Sequence, residues 1–205
     1  MVGIRKNIWL LAFIAKLLLI GCSSNKSKEG INETLEMDNW KCHALSSDEI
    51  CLPKKWNPIE QNSAYYFAYL DNENSQTYFA IVRHSILEDS LNAKLYLKNI
   101  YDQLISEKDK ELFEGYTLSE LKFNDYLSYY GEYYTQIGNK SYFTYSMVRE
   151  YKKDIYEIIL KVPRDNSLNY KDIFQKILAH FRVDGKTIFN MEDEILDKKF
   201  IKIHE

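Results

Sequence analysis

Residues 64–70 and 77–86 form two largely apolar, aromatic-rich runs of strand length, and the polar Asp71-Asn72-Glu73-Asn74-Ser75 separates them. Two such runs broken by turn-forming residues predict a β-hairpin. A helical period follows. Over 91–108, Ala93, Leu97, Ile100 and Leu104 recur at steps of three and four, Tyr96, Tyr101 and Ile105 widen the stripe, and Asp89-Ser90 offers a cap. These positions predict an amphipathic helix with one buried face. Strand-like runs return at 116–127, 128–137, 141–151 and 154–162, broken at Phe123-Asn124-Asp125, Gly138-Asn139 and Lys152-Lys153, as expected of an antiparallel meander. In the last run Tyr156, Ile158, Leu160 and Val162 share one face while Ile155, Glu157, Ile159 and Lys161 share the other. After Pro163, Asn169 is placed to cap a second helix with the stripe Ile173, Phe174, Ile177, Leu178 and Phe181. Upstream, a short strand ends at Pro53 and a loop is expected to run on to Pro58. The tail 184–205 mixes Ile188, Phe189, Ile195, Leu196, Phe200 and Ile201 with many charges, and reads as a docking helix or a mobile end.

The N-terminus follows a different logic. Arg5 and Lys6 precede an apolar stretch that Lys16 interrupts and Gly21-Cys22 ends. This is short for about 30 Å of hydrocarbon, and a lysine near its middle costs about 2.5 to 3.5 kcal/mol on insertion. Leu19-Ile20-Gly21-Cys22 resembles the lipobox of bacterial lipoproteins. The resemblance implies that 1–21 is a signal peptide. It also implies that Cys22 becomes the first mature residue, with a diacylglycerol on its thiol and commonly a third chain, such as palmitate, on its amine. Two or three chains hold a protein to a membrane stably where one does not. An ordinary secretory signal or an uncleaved anchor are the alternatives. Ser23, where aspartate would favour inner-membrane retention in enterobacterial lipoproteins, points to an outer membrane and its periplasmic face. Residues 22–39, polar and rich in Ser, Asn, Lys and Glu, read as a flexible tether.

Cleavage changes the charge. The leader carries Arg5, Lys6 and Lys16 but no acid, so 27 basic residues against 30 acidic become 24 against 30, and the net charge moves from -3 to -6. A polyanion needs clustered cations, so nucleic acid is excluded as a partner class. Two cysteines remain, Cys42 and Cys51, on either side of Ser46-Ser47. If that dipeptide is a hairpin tip, they fall opposite one another and an exported compartment would oxidise them to a disulfide. A metal site from Cys42, His43 and Cys51 is the alternative, but no fourth ligand stands at a readable spacing.

Little else points to chemistry. His43, His84, His180 and His204 fall on separate elements without a metalloprotease pairing, and no G-x-S-x-G elbow is present. Gly185-Lys186-Thr187 resembles the end of a phosphate-binding loop, but position 180 is His where that motif needs Gly. Glu107, Asp109, Glu111 and Glu114 have the spacing of a solvated face rather than of paired glycosidase acids. No catalytic residue, metal or cofactor is assigned. The segment 126–145 is rich in tyrosine. Tyr129 and Tyr133 should point to one face of their strand and Tyr130 and Tyr134 to the other. They read as core packing with phenols at the rim, or, together with Trp56, as a patch that binds a protein or glycan.

Leu52-Pro53 with Trp56, Ser90-Leu91 at the first helix, and Ile177 with Phe181 in the last resemble the PsbP-like fold family, which includes DcrB-like and LpqN-like bacterial lipoproteins. The resemblance spans roughly 48–183. It implies an α+β domain over 40–183, a central antiparallel sheet flanked by helices in an α/β/α sandwich, acting through protein contacts. The functional expectation is a membrane-anchored, non-enzymatic envelope module for protein binding or assembly, its protein partner unidentified. The alternatives are an envelope enzyme, or a small-ligand carrier, with a site assembled from dispersed residues.

Overall fold

The computed structural model describes residues 39–61, 65–70, 77–86, 92–106, 113–123, 125–189 and 195–201. The expected leader, the lipidation site Cys22 and the tether up to Asp38 lie outside the described residues.

A hairpin of β1 (Trp40–Leu45) and β2 (Asp48–Pro53) opens the domain, with Ser46 at positive φ in its turn. Cys42 sits directly opposite Cys51, and the two form a disulfide. Both sulfurs are thereby committed to each other, which leaves no thiolate for a metal. Closing so short a loop stabilises by about 2.5 to 3 kcal/mol on the chain-entropy model. Two short late strands, β10 (Arg182–Val183) and β11 (Lys186–Thr187), complete a small sheet in the order β1-β2-β10-β11.

The main sheet has eight strands. In chain order they are β3 (Asn57–Gln61), β4 (Tyr65–Tyr69), β5 (Tyr78–Ser85), β6 (Phe113–Lys122), β7 (Leu127–Ile137), β8 (Lys140–Tyr151), β9 (Asp154–Pro163) and β12 (Asp197–Phe200). Across the sheet they lie in the order β12-β6-β7-β8-β9-β5-β4-β3, and every pairing is antiparallel. The meander read from 116–162 is therefore present as β6 to β9. The two expected helices are α1 (Ala93–Ser106) and α2 (Ser167–Ala179).

Alternation along β9 divides the interior in two. Tyr156, Ile158, Leu160 and Val162 pack with Ile173, Phe174, Ile177 and Phe181 around α2. Ile155 faces the other way, with Val148 of β8, Leu118 of β6 and Ala93, Leu97 and Tyr101 of α1. The small sheet shares the first side, since Trp40, Ile50, Leu52 and Val183 belong to the α2 core. The cover on that face is accordingly a helix beside a sheet, where helices alone were expected. A polar tie joins the two sheets: Arg83 donates from Nε and Nη2 to Asp154 at 3.0 and 2.7 Å, and its Nη1 lies 3.9 Å from Asp48 of β2.

Four local expectations change. The loop after Pro53 is only three residues, because Asn57 already pairs with Tyr69 across β3 and β4. Asn92 caps α1, its Oδ1 accepting from Leu95 N–H at 2.9 Å, while Asp89-Ser90 lies outside the described residues. Asn169 is inside α2 rather than at its cap, because a 3-10 turn at Arg164–Asn166 starts the coil earlier. The tail is no helix over its described residues: it contributes β11 and β12, so the folded unit runs past Val183 to Phe200.

One close approach fixes how α1 sits. A Cβ on Gly131 of β7 would lie 2.0 Å from the Tyr101 hydroxyl, far inside contact distance, so only glycine lets this fully buried ring rest on the strand. We expect Gly131→Ala to destabilise by about 1 to 3 kcal/mol, the usual cost of overpacking. Tyr101→Phe in the same chain should recover part of that loss, because the colliding oxygen is gone. Chemical denaturation of the double-mutant cycle checks it, and full additivity would contradict the contact.

Candidate functional site: a tyrosine and arginine cleft at one end of the sheet

Three buried polar groups with displaced proton affinities or shared hydrogen bonds, Glu157, Tyr96 and His84, meet on the α1 side of the sheet. Glu157 is 3% exposed, and burial raises its carboxyl above the ordinary value against the opposing pull of two donors. Tyr96 O–H donates to its Oε2 at 2.7 Å and Ser146 O–H to its Oε1 at 3.1 Å. Tyr96 is also 2.8 Å from His84 Nε2. With the phenol proton donated to Glu157, the Tyr96 oxygen is left to accept, and the imidazole nitrogen is then the donor. Burial lowers His84 below the usual histidine range. Further along β9, Lys161 is 4% exposed and burial holds it down to about 8, its ammonium 5.0 Å from the Tyr142 ring and 5.8 Å from that of Tyr78. Such shifts are what catalytic groups show. Here, however, the acid, the phenol and the imidazole are wedged between sheet and helix and do not line the cleft described next.

A cleft of about 340 Å³ opens at the end of the sheet where β6 turns into β7 and β8 into β9, lined by Tyr126, Tyr129, Tyr151 and Arg149 among others. Each wall has a local cause. Phe123 N–H donates to the Tyr126 carbonyl at 2.9 Å, which closes the β6–β7 turn and stacks the two rings 4.6 Å apart. The Arg149 guanidinium then lies 3.5 Å above the Tyr126 ring centre, a cation–π contact that keeps a delocalised charge at the surface without full hydration. Glu150, next on β8, accepts from Ala93 N–H at 2.6 Å and so pins the first turn of α1 to the cleft wall. Opposite, Lys152 at positive φ pairs with Asp184 of the small sheet, and this raises the lysine and lowers the aspartate from their ordinary values.

An apolar rim extends from the cleft. Leu127 lines it and is 42% exposed. It pairs with Lys122 of β6, which in turn pairs with Asp197 of β12, and Leu196 N–H donates to the Lys122 carbonyl. Ile195 and Leu196 are about half exposed, and Phe200 is 72% exposed.

Of the residues singled out in the sequence, Tyr129 lines this cleft, and burial pushes its hydroxyl up to about 12. The others do not. Trp56 is 4% exposed and packs against Phe79 with ring centres 6.0 Å apart, so it offers no aromatic surface. Tyr130 and Tyr134 face the α2 core, where Tyr134 meets Phe143 and the Arg164 guanidinium. Tyr133 faces α1 and meets Tyr101 edge to face. The expected two-faced arrangement of the tyrosines is thus present, mostly as packing. Arg149 and Tyr151 were missed, and Tyr126 was marked only as the start of the tyrosine-rich segment; only the pairing of β8 with β7 and the closing turn bring them together.

No family model matches the chain, and no curated protein matches it in sequence. Among solved structures the fold is similar to cyanobacterial PsbP (CyanoP) from Synechocystis sp. PCC 6803, with a TM-score of 0.54 and 13% identity over 77% of this chain and 99% of that one. Weaker similarities reach a protein from Bacteroides thetaiotaomicron VPI-5482 (TM-score 0.45, 16% identity, 72% of this chain and 49% of that one). LpqN, involved in cell envelope biogenesis of Mycobacterium tuberculosis, is similar at the same level (TM-score 0.42, 12% identity, 66% and 82%). The first establishes a PsbP-like fold and nothing about activity; the other two fall below the level at which a fold is shared.

The raised carboxyl of Glu157 carries a sign. A carboxyl raised on folding contributes stability that is fully present below its unfolded value and is lost as pH rises through its folded value. Glu157→Gln should therefore raise the melting temperature most at pH 8, by at least about 2 °C, the shift that about 1 kcal/mol makes in a chain of this size. Its advantage should shrink toward pH 4. Melting curves of both proteins from pH 4 to 8 check this, and a pH-independent difference would count against a buried charge.

Proposed function

We propose that this chain is a lipid-anchored protein of a bacterial envelope whose domain, a PsbP-like α/β/α sandwich, holds another protein and catalyses nothing. The anchoring half rests on the lipobox-like Leu19-Ile20-Gly21-Cys22 and the polar stretch that follows it. Ser23 after the cysteine favours an outer membrane and its periplasmic face. A disulfide between Cys42 and Cys51 suits an exported compartment.

The binding half rests on one observation, the make-up of the cleft and its rim. Tyrosine and arginine dominate the energetics of protein interfaces, because a large, stiff, amphipathic ring or a planar cation gains much contact for little lost freedom. Tyr126, Tyr129, Tyr151 and Arg149 stand together in the cleft, and an apolar margin of Leu127, Ile195 and Leu196 continues from it. A partner side chain can lie against the rings with an acidic group near Arg149. The enzymatic alternative needs reacting groups in an accessible cavity, and the acid–base set of Glu157, Tyr96 and His84 is packed under α1 instead.

A photo-crosslinking residue at Leu127 of the full-length protein, in its own cells, should give one discrete protein adduct. Arg149→Ala should reduce that adduct at least tenfold while the purified variant keeps its cooperative melt. A crosslinker at Ile59, on the far edge of the sheet, should give none. Equal labelling from both positions would contradict the assignment. Mass spectrometry should find the mature N-terminal peptide beginning at an acylated Cys22, and an unmodified thiol would remove the anchor.

A further inference from the structure

The two edges of the main sheet are guarded differently. On β3, Pro58 has no N–H to offer and the register shifts between Pro58 and Glu60, a bulge. Proline and bulges are the devices that stop another strand from adding to an edge. β12 has neither. Ile201 N–H donates to the Leu118 carbonyl at 2.8 Å. By the alternation of an antiparallel pair, Asp197 and Lys199 then also turn their backbone groups toward β6. Lys198 and Phe200 turn theirs outward, and among the described residues no strand pairs with them.

The guard on β12 is charge. All four of its side chains are exposed, Lys198 and Lys199 among them, and Lys122 on the neighbouring strand is exposed too. Lysines repel a second copy: antiparallel self-pairing through the outward residues, with Lys198 opposite Phe200, would set Lys199 of one chain against Lys199 of the other. They do not repel an acidic strand. Lys198 lies 5.2 Å from the Phe200 ring, on the same side of the strand, so charge and apolar surface are presented together. Phe200 is the most exposed large apolar side chain among the described residues, and no packing among those residues explains it.

We infer that β12 is the receptor edge for an extended, acidic segment of a partner protein, which adds as a further strand beside Lys198 and Phe200. Main-chain hydrogen bonds to the two outward residues hold the segment, its acids fall on the Lys199 face, and its apolar side chains cover Phe200 and the Lys198 stem on the other. This mode rests on the protein-binding reading and extends the contact made at the cleft, since β12 begins beside Lys122 and Leu127.

The test uses the full-length mature protein in detergent and three synthetic decapeptides as probes. One alternates Glu with Val, one alternates Lys with Val, and one is the Glu peptide with a central proline. The Glu peptide should bind saturably and protect the Lys198 and Phe200 amides from hydrogen exchange. The other two should bind at least tenfold more weakly. Lys198→Pro removes an outward N–H that the chain's own sheet does not use, so it should weaken binding at least tenfold with the melt retained. Lys198→Glu with Lys199→Glu should do the same by charge alone. No saturable binding, protection on β3 instead, or full binding to the Lys198→Pro protein would overturn strand addition. In cells, a Leu127 adduct that survives Lys198→Pro would also overturn it, while leaving protein binding at the cleft standing.

Discussion

Burial of β8 and β9 on both faces is the constraint from which the rest follows. Each strand has a neighbour on either side, and each face is covered, by α1 on one side and by α2 with the small sheet on the other. A strand in that position has no solvent side on which to place polar residues, so those it carries must be satisfied inside or displaced in protonation. Glu157 is satisfied by Tyr96 and Ser146, and Tyr96 in turn engages His84 of β5, so one buried acid draws a helix and three strands together. Gly131 follows from the same crowding, since Tyr101 can cover the sheet only where a strand lacks a Cβ.

The same constraint places the proposed binding site at the periphery. Glu157, Tyr96 and His84 are enclosed under α1, and the sheet's ends and edges are what remains accessible. At one end, four elements stop together: the β6–β7 turn, the β8–β9 turn, the start of α1 and the start of β12. Their termini bring Tyr126, Arg149, Ala93 and Leu127 to a single cleft and leave Ile195 and Leu196 beside it. Stacked rings, a guanidinium lying on one of them and an aliphatic margin are what the proposed binding site offers.

Much of this architecture was legible along the chain where burial is one-sided or strictly periodic. The stripes of α1 and α2, the meander of β6 to β9 and the opposition of Cys42 and Cys51 all follow from local period and turn residues. What was not legible depends on pairing. β3 carries Pro58 and reads as loop, yet it pairs as an edge strand with a bulge, where proline is tolerated. β12, with the sequence Asp-Lys-Lys-Phe, has no alternation because both of its faces are exposed; only its backbone commits it to β6. Arg149 is an ordinary exposed-type residue in sequence and becomes part of a site only through the ring of Tyr126, twenty-three positions away. Trp56 was conspicuous for its type, and the core claimed it.

On the proposed reading, this protein acts through one end and one edge of its main sheet and not through its buried polar interior. Hydrogen–deuterium exchange of the protein in intact envelopes, compared with the purified full-length chain, tests that claim most directly. Slower exchange confined to 125–129, 149–152 and 195–201, with the interior of β9 unchanged, is the predicted result. Identical exchange in both settings, or a change centred on the Glu157 and Tyr96 amides with the cleft unaffected, would contradict it.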